Sequence, residues 1–249
     1  KYVAICNVNF KSKHFQRYSN FLYLLLILRR GKRVDYIRDP QLIESKSFTI
    51  IQGIIDQDFP DFVYSCPEEE MIIKRVIHTS ADFDYLKSLV FTNDVIKELK
   101  DFFLTGNGTI FTDTTMALSG INKRVLDKLA IRYECYIADP KISEQAKSKG
   151  MTRSMAGIEH AAKKDGPKLF VIGNAPTAIF KLLELIEKGE LDAAAVIGVP
   201  VGFVGAAESK EALFESDVPA IVARGRKGGS NVAAAIINAL LYQLVEREN

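Results

Sequence analysis

Of the three histidines in this 249-residue chain, His78 is placed where an imidazole could do chemistry. It ends a helical pattern that opens on Pro67-Glu-Glu-Glu70, whose acids suit the positive end of a helix. Imidazole exchanges protons near neutrality and can act as a general acid. At a helix end it can equally do no more than complement the negative pole of its own helix, so position alone leaves both roles open. His14 falls in a basic N-terminal stretch, and His160 in a polar helical segment, Gly157-Ile-Glu-His-Ala-Ala-Lys-Lys164, that reads as solvated.

A second chemical signature lies in backbone. Gly198-Val-Pro-Val-Gly-Phe-Val-Gly-Ala-Ala-Glu-Ser-Lys210 runs from an apolar strand into a loop that presents main chain, with Gly198, Gly202 and Gly205 permitting close approach to a flat ligand. Gly173-Asn-Ala-Pro-Thr-Ala178 opens a helix, where free N–H groups and the macrodipole would favour an anion. Ala223-Arg-Gly-Arg-Lys-Gly-Gly-Ser230 adds Arg224, Arg226 and Lys227, which suit carboxylates, although a solvated basic loop would look the same. The glycine spacing G-x-x-x-G-x-x-G is not a dinucleotide fingerprint, and G-x-x-x-x-G-K-[ST] is absent, which disfavours a nucleotide enzyme. Asp113 could orient a ligand or cap a turn. Asp82-Phe-Asp84 lacks a third ligand for a metal and reads as a solvated loop.

In this order the three loops, with Asp35-Tyr-Ile-Arg-Asp-Pro40, Ser47-Phe48, Arg75-Val-Ile-His78, Asp113-Thr-Thr-Met116 and Thr152-Arg-Ser154, resemble the precorrin-8X methylmutases (precorrin isomerases) of corrin-ring biosynthesis. The resemblance covers roughly Tyr36 to Leu244. It implies a suprafacial methyl shift from ring carbon 11 to ring carbon 12, converting precorrin-8X or cobalt-precorrin-8 to hydrogenobyrinate or cobyrinate in cobalamin biosynthesis, with His78 as the catalytic acid. Ser47, Thr152 and Arg153 match family positions near the substrate. With Asp113, Asn174, Thr177, Gly202, Gly205, Arg224 and Arg226 they form the expected substrate-binding set, though Ser47 can also bond within its own helix. A tetrapyrrole, apolar across its faces and edged with carboxylates, fits glycine loops and dispersed arginines. The resemblance also implies a homodimer and no cofactor: neither metal, nicotinamide nor methyl donor is required of the protein. A corrinoid carrier without turnover would keep the loops and arginines but could dispense with His78.

These residues need a scaffold. Short apolar runs at 109–112, 132–137, 169–172, 194–199 and 220–223 alternate with helical segments, predicting an α/β, doubly wound, mainly parallel five-stranded sheet with helices on both faces. Ligands bind such sheets beyond the carboxyl ends of the strands, where all three glycine loops fall. Asp39-Pro40 predicts a helix start, and Asn93 a helix cap. With 47% apolar residues, 36–249 suffices for one domain. Residues 1–35 carry a net charge of +7 and the remainder −5, so the basic balance belongs to an N-terminal extension. Its apolar run, Phe21 to Leu28, is too short for an integral membrane span. Three scattered cysteines, Cys6, Cys66 and Cys135, fit a reducing cytoplasm, and nothing points to a nucleic-acid partner.

Overall fold

The computed structural model describes residues 36–245. The chain divides into two compact units, Lys1–Glu44 and Ser45–Asn249. The extension expected at 1–35 lies outside the described residues. Helix α1 (Pro40–Asp58) starts as expected: Pro40 takes the first helical position, and the Asp39 carboxylate accepts the N–H groups of Gln41 and Leu42 at 2.8 and 3.2 Å.

In the second unit the elements run α2 (Pro67–Ser80), α3 (Tyr85–Ser88), β1 (Leu89–Thr92), α4 (Val95–Thr105), β2 (Thr109–Thr112), α5 (Thr115–Gly120), α6 (Lys123–Lys128), β3 (Arg132–Glu134), α7 (Pro140–Lys149), α8 (Arg153–Ala162), β4 (Lys168–Ile172), α9 (Pro176–Glu187), β5 (Ala195–Gly198), α10 (Ala206–Phe214), β6 (Ala220–Ala223) and α11 (Ser230–Leu244). The sheet order is β1-β6-β5-β4-β2-β3, parallel except for the β1–β6 pair. From β2 the chain moves outward to β3, then returns past β2 to β4 and continues the other way. Strand order therefore reverses between β2 and β4, the switch point beyond whose carboxyl ends sheets of this kind bind ligands.

Helices cover both faces, so β2, β4, β5 and β6 are buried along their whole length, and apart from Thr109 and Thr112 at the ends of β2 and Lys168 at the start of β4 they are apolar. Alternate residues feed opposite cores. Ile110, Leu169, Val171, Ile197 and Ile221 pack with α2, α4 and α11 through Ile73, Ile77, Phe103, Ile236 and Leu240. Phe111, Phe170, Ile172, Val196 and Val222 pack with α8, α9 and α10 through Ile158, Ile179, Leu182 and Leu213.

Three expectations need correction. The sheet has six strands, not five, because Leu89–Thr92 pairs antiparallel with β6 at the edge. Its four residues are too few for a periodic signal, and only the exposed edge of β6 makes them a strand. Asn93 is not a helix cap: it lies at φ 53°, and its amide donates to the carbonyls of Ser216 and Val218 at 3.0 Å. Gly198 is needed for packing, not for ligand approach. A Cβ there would stand 2.3 Å from Cδ2 of Leu213, which is fully buried on α10. Gly198→Val should therefore cost about 1–3 kcal/mol, as overpacking does. Urea unfolding measures this, and an unchanged midpoint would mean that Leu213 swings aside freely.

Candidate active site

Asp113 follows β2 directly and turns its carboxylate to the loop after β4, 6% exposed. One carboxylate oxygen accepts the Gly173 N–H at 2.9 Å, and the other accepts those of Asn174 and Ala175 at 2.8 and 2.7 Å. Burial pushes this carboxyl upward from the usual range, while the three backbone donors pull it down. Three of the N–H groups expected to receive a substrate anion at the start of α9, those of Gly173, Asn174 and Ala175, are thus filled by the protein's own carboxylate. Pro176 has no N–H, and Ala178 donates to Ala175. Of the two roles open to Asp113, turn-holding is the one this geometry serves, and the turn it holds is the one after β4. Asn174 remains exposed, and Thr177 shares a hydrogen bond with Thr152 through their hydroxyls at 3.0 Å. Thr152 caps α8 by accepting the Met155 N–H, and the exposed Arg153 donates to the Ile137 carbonyl at 3.2 Å.

The loops after β5 and β6 are joined by main chain. Gly202 donates to the Arg226 carbonyl at 3.1 Å and Gly229 to that of Val199 at 2.8 Å. A Cβ on Gly228 would stand 2.1 Å from the Val199 oxygen, so only glycine permits this contact. Gly202 and Gly205 both take positive φ, and α10 begins immediately after Gly205. The basic residues divide. Arg224 forms a two-pronged pair with Glu211, at 2.8 and 2.7 Å, and lies over the Phe214 ring, so its guanidinium is engaged within the protein. Lys227 bridges Asp82 and Asp84, which are therefore not a merely solvated pair. That bond holds Asp82 below the usual carboxylate range and Lys227 above the usual ammonium range. Arg226 stacks on Phe203 and, among the described residues, has no carboxylate in reach. Val201, Phe203 and Val204 are 47%, 84% and 90% exposed, forming an apolar rim on the β5 loop.

His78 is exposed on the last turn of α2, four residues before Asp82. Its ring meets the edge of Phe48 with centroids 5.6 Å apart, and Ser47 is the neighbour of Phe48 on α1. The Arg75 guanidinium, one turn back on α2, lies over both Phe48 and Tyr242. His160, expected to be solvated, instead packs edge-on against Tyr136 at 4.5 Å. The sequence reading missed Phe48 as a wall for His78, Glu211 as the partner of Arg224, and the acids that receive Lys227. None of these pairings carries a local signal, because 13 residues or more separate the partners. The arrangement offers an exposed acid–base group, an apolar rim and cationic side chains at the carboxyl end of the sheet. Asp113→Asn removes the charge and replaces one of the two accepting oxygens with an NH2 donor, which faces at least one of the three N–H groups. It should destabilise the protein by about 2 kcal/mol or more. Urea unfolding would register this, and a change below about 0.5 kcal/mol would show that the turn keeps its shape unaided.

The model for the family described as precorrin-8X methylmutase matches residues 42–243. A cobalt-precorrin-8 methylmutase of Salmonella typhimurium is 56% identical over 214 residues, covering 86% of this chain and all of that protein. One from Methanothermobacter thermautotrophicus is 40% identical over 83% of this chain and 94% of its own length. The solved structure of a precorrin-8X methylmutase from Thermus thermophilus superposes with a TM-score of 0.69 at 34% identity, over 80% of this chain and 95% of that one. With the glycine loops, His78 and the doubly wound sheet in place, the chain belongs to the precorrin-8X methylmutase family.

Proposed function

We propose that this chain is a cobalt-precorrin-8 methylmutase of cobalamin biosynthesis. It moves a methyl group from ring carbon 11 to ring carbon 12 of the tetrapyrrole, suprafacially and with no redox change. The cobalt form is the preferred substrate, a reading supported by the 56% and 40% identities to proteins named for it. Cobalt is cargo here, held by the macrocycle. The observation that carries the reading is the exposed imidazole of His78, walled by Phe48 on a helix whose following turn is tied to the β6 loop by Lys227. Carrier proteins have no need of such a group.

The macrocycle lies on the β5 and β6 loops, its face against the apolar rim and its carboxylate edge toward Arg226 and Arg153. Ser47, Thr152, Thr177, Asn174, Gly202 and Gly205 line its perimeter. His78 shares its proton with the conjugated ring system, which draws electron density toward that point and weakens the bond to the migrating methyl. As the methyl re-attaches at the adjacent carbon, the proton returns to His78. Substrate and product are isomers, so no atom or electron is gained or lost. Asp113 acts earlier, by shaping the loop, and Arg224 by fixing the end of β6 on α10. The reaction belongs to the cytoplasm; among the described residues no helix is long and apolar enough to cross a membrane.

His78→Ala should lower turnover by about 100-fold or more, as loss of a positioned acid does, and leave binding of the corrinoid product within a few-fold of the parent. Single-turnover absorbance follows the chemistry, since the shift alters the conjugation, and spectral titration follows binding. A variant that rearranges substrate at near the parent rate removes His78 from the mechanism.

The protein acts as a homodimer in which a second copy partly closes the site, packing on the part of the exposed Val201, Phe203 and Val204 cluster that the macrocycle leaves uncovered. Phe203→Asp should halve the mass seen by light scattering at micromolar concentration. A parent that is itself monomeric and fully active would overturn the dimer.

A further inference from the structure

Lys210 is a cation with no measured exposure, on the inner face of α10. Its ammonium donates to the main-chain carbonyl of Lys227 at 2.8 Å, and among the described residues it has no ion pair. The adjacent Glu211 is turned away to Arg224, which it grips with both oxygens. Burial without a counter-ion pushes the Lys210 ammonium down to about 8. A methionine or leucine would fill this space without any such desolvation cost, so core packing does not account for a lysine.

What the ammonium reaches does account for it. The loop from Arg224 to Gly229 contains three glycines at positive φ and therefore has little intrinsic preference for one shape. Lys227 is gripped at both ends: its carbonyl by Lys210 from beneath, and its side chain by Asp82 and Asp84 from the turn that follows α2. Arg226, next to this anchored residue, has its own carbonyl held by the Gly202 N–H while its guanidinium rests on Phe203.

We propose that Lys210 is a positioning residue for substrate binding, which holds the β6 loop from below so that Arg226 is presented to the carboxylate edge of the macrocycle. It touches no substrate. The proposal rests on the methylmutase reading, but its clamp has a readout independent of turnover. Trypsin cuts after Arg224, Arg226 and Lys227 only when the loop opens, so Lys210→Met should be cut there about tenfold faster than the parent while its resistance to urea stays equal or rises. With cobalt-precorrin-8, Lys210→Met should raise KM about tenfold and leave kcat within about threefold, the pattern for lost binding and not lost chemistry. Arg226→Met should do the same, and the double variant should be no worse than the more impaired single one.

Parent-like KM and trypsin resistance in Lys210→Met would overturn the proposal, as would effects of Lys210→Met and Arg226→Met that multiply. Should the methionine variant fail to fold, Lys210→Leu is read in the same assays against the same thresholds. A parent protein that does not rearrange cobalt-precorrin-8 would instead sink the methylmutase reading, and the trypsin comparison would still decide the clamp.

Discussion

The carboxylate of Asp113 sits where the strand order reverses and accepts three successive backbone N–H groups from the loop after β4. At that point a doubly wound sheet leaves a gap between two loops that diverge to opposite faces, and helix α9 begins with unpaired donors. A free carboxylate of a ligand commonly fills such a place. Here the protein fills it, and in doing so fixes the chain direction from β4 into α9. Gly173 is drawn so close to Ser230 that a Cβ would stand 2.7 Å from its Cα, and Thr114 bonds the Ser230 hydroxyl at 2.8 Å. One buried charge therefore gathers the ends of β2 and β4 and the start of α11. The loops after β5 and β6 are assembled beside that fixed corner.

Beyond this corner the site is held by charge and main-chain bonds more than by apolar packing. Lys227 with Asp82 and Asp84, Arg224 with Glu211, and Lys210 with the Lys227 carbonyl tie glycine-rich chain to helices that the two cores make rigid. Exposed ion pairs contribute little to stability. Their value here is geometric, because they set the shape of segments whose glycines would otherwise leave many shapes open. Apolar side chains on the same loops are left outward, as Phe203 and Val204 show, and are available to a macrocycle or to a second subunit.

The division of labour among the basic residues follows from the same economy of contacts. Arg224 and Lys227 directly flank Gly225 and Arg226 in a single loop, yet each finds an acid on a different helix or turn. Arg226 rests on Phe203 and, among the described residues, has no carboxylate in reach, whereas Arg224, over Phe214, is paired with Glu211. Recognition of a polycarboxylate edge needs such open donors, held where they cannot collapse onto nearby acids.

The sequence by itself determined the class of fold, since strands buried on both faces are mainly apolar and alternate here with helical segments, and it placed the glycine loops, Asp39-Pro40 and the helix ending near His78, because caps, turns and periodicity are local. The motifs also carried the family, in the order of three loops and the Arg-Val-Ile-His segment. It could not determine β1, whose four residues become a strand only against the edge of β6. Nor could it tell Arg224 from Arg226, or show that Asp113 would take the N–H groups reserved for an anion, or that Gly198 answers to Leu213. Each of these depends on a partner brought near by the crossovers of the sheet, and a side chain's electrostatic and steric environment is a property of that assembled neighbourhood, not of its flanking residues.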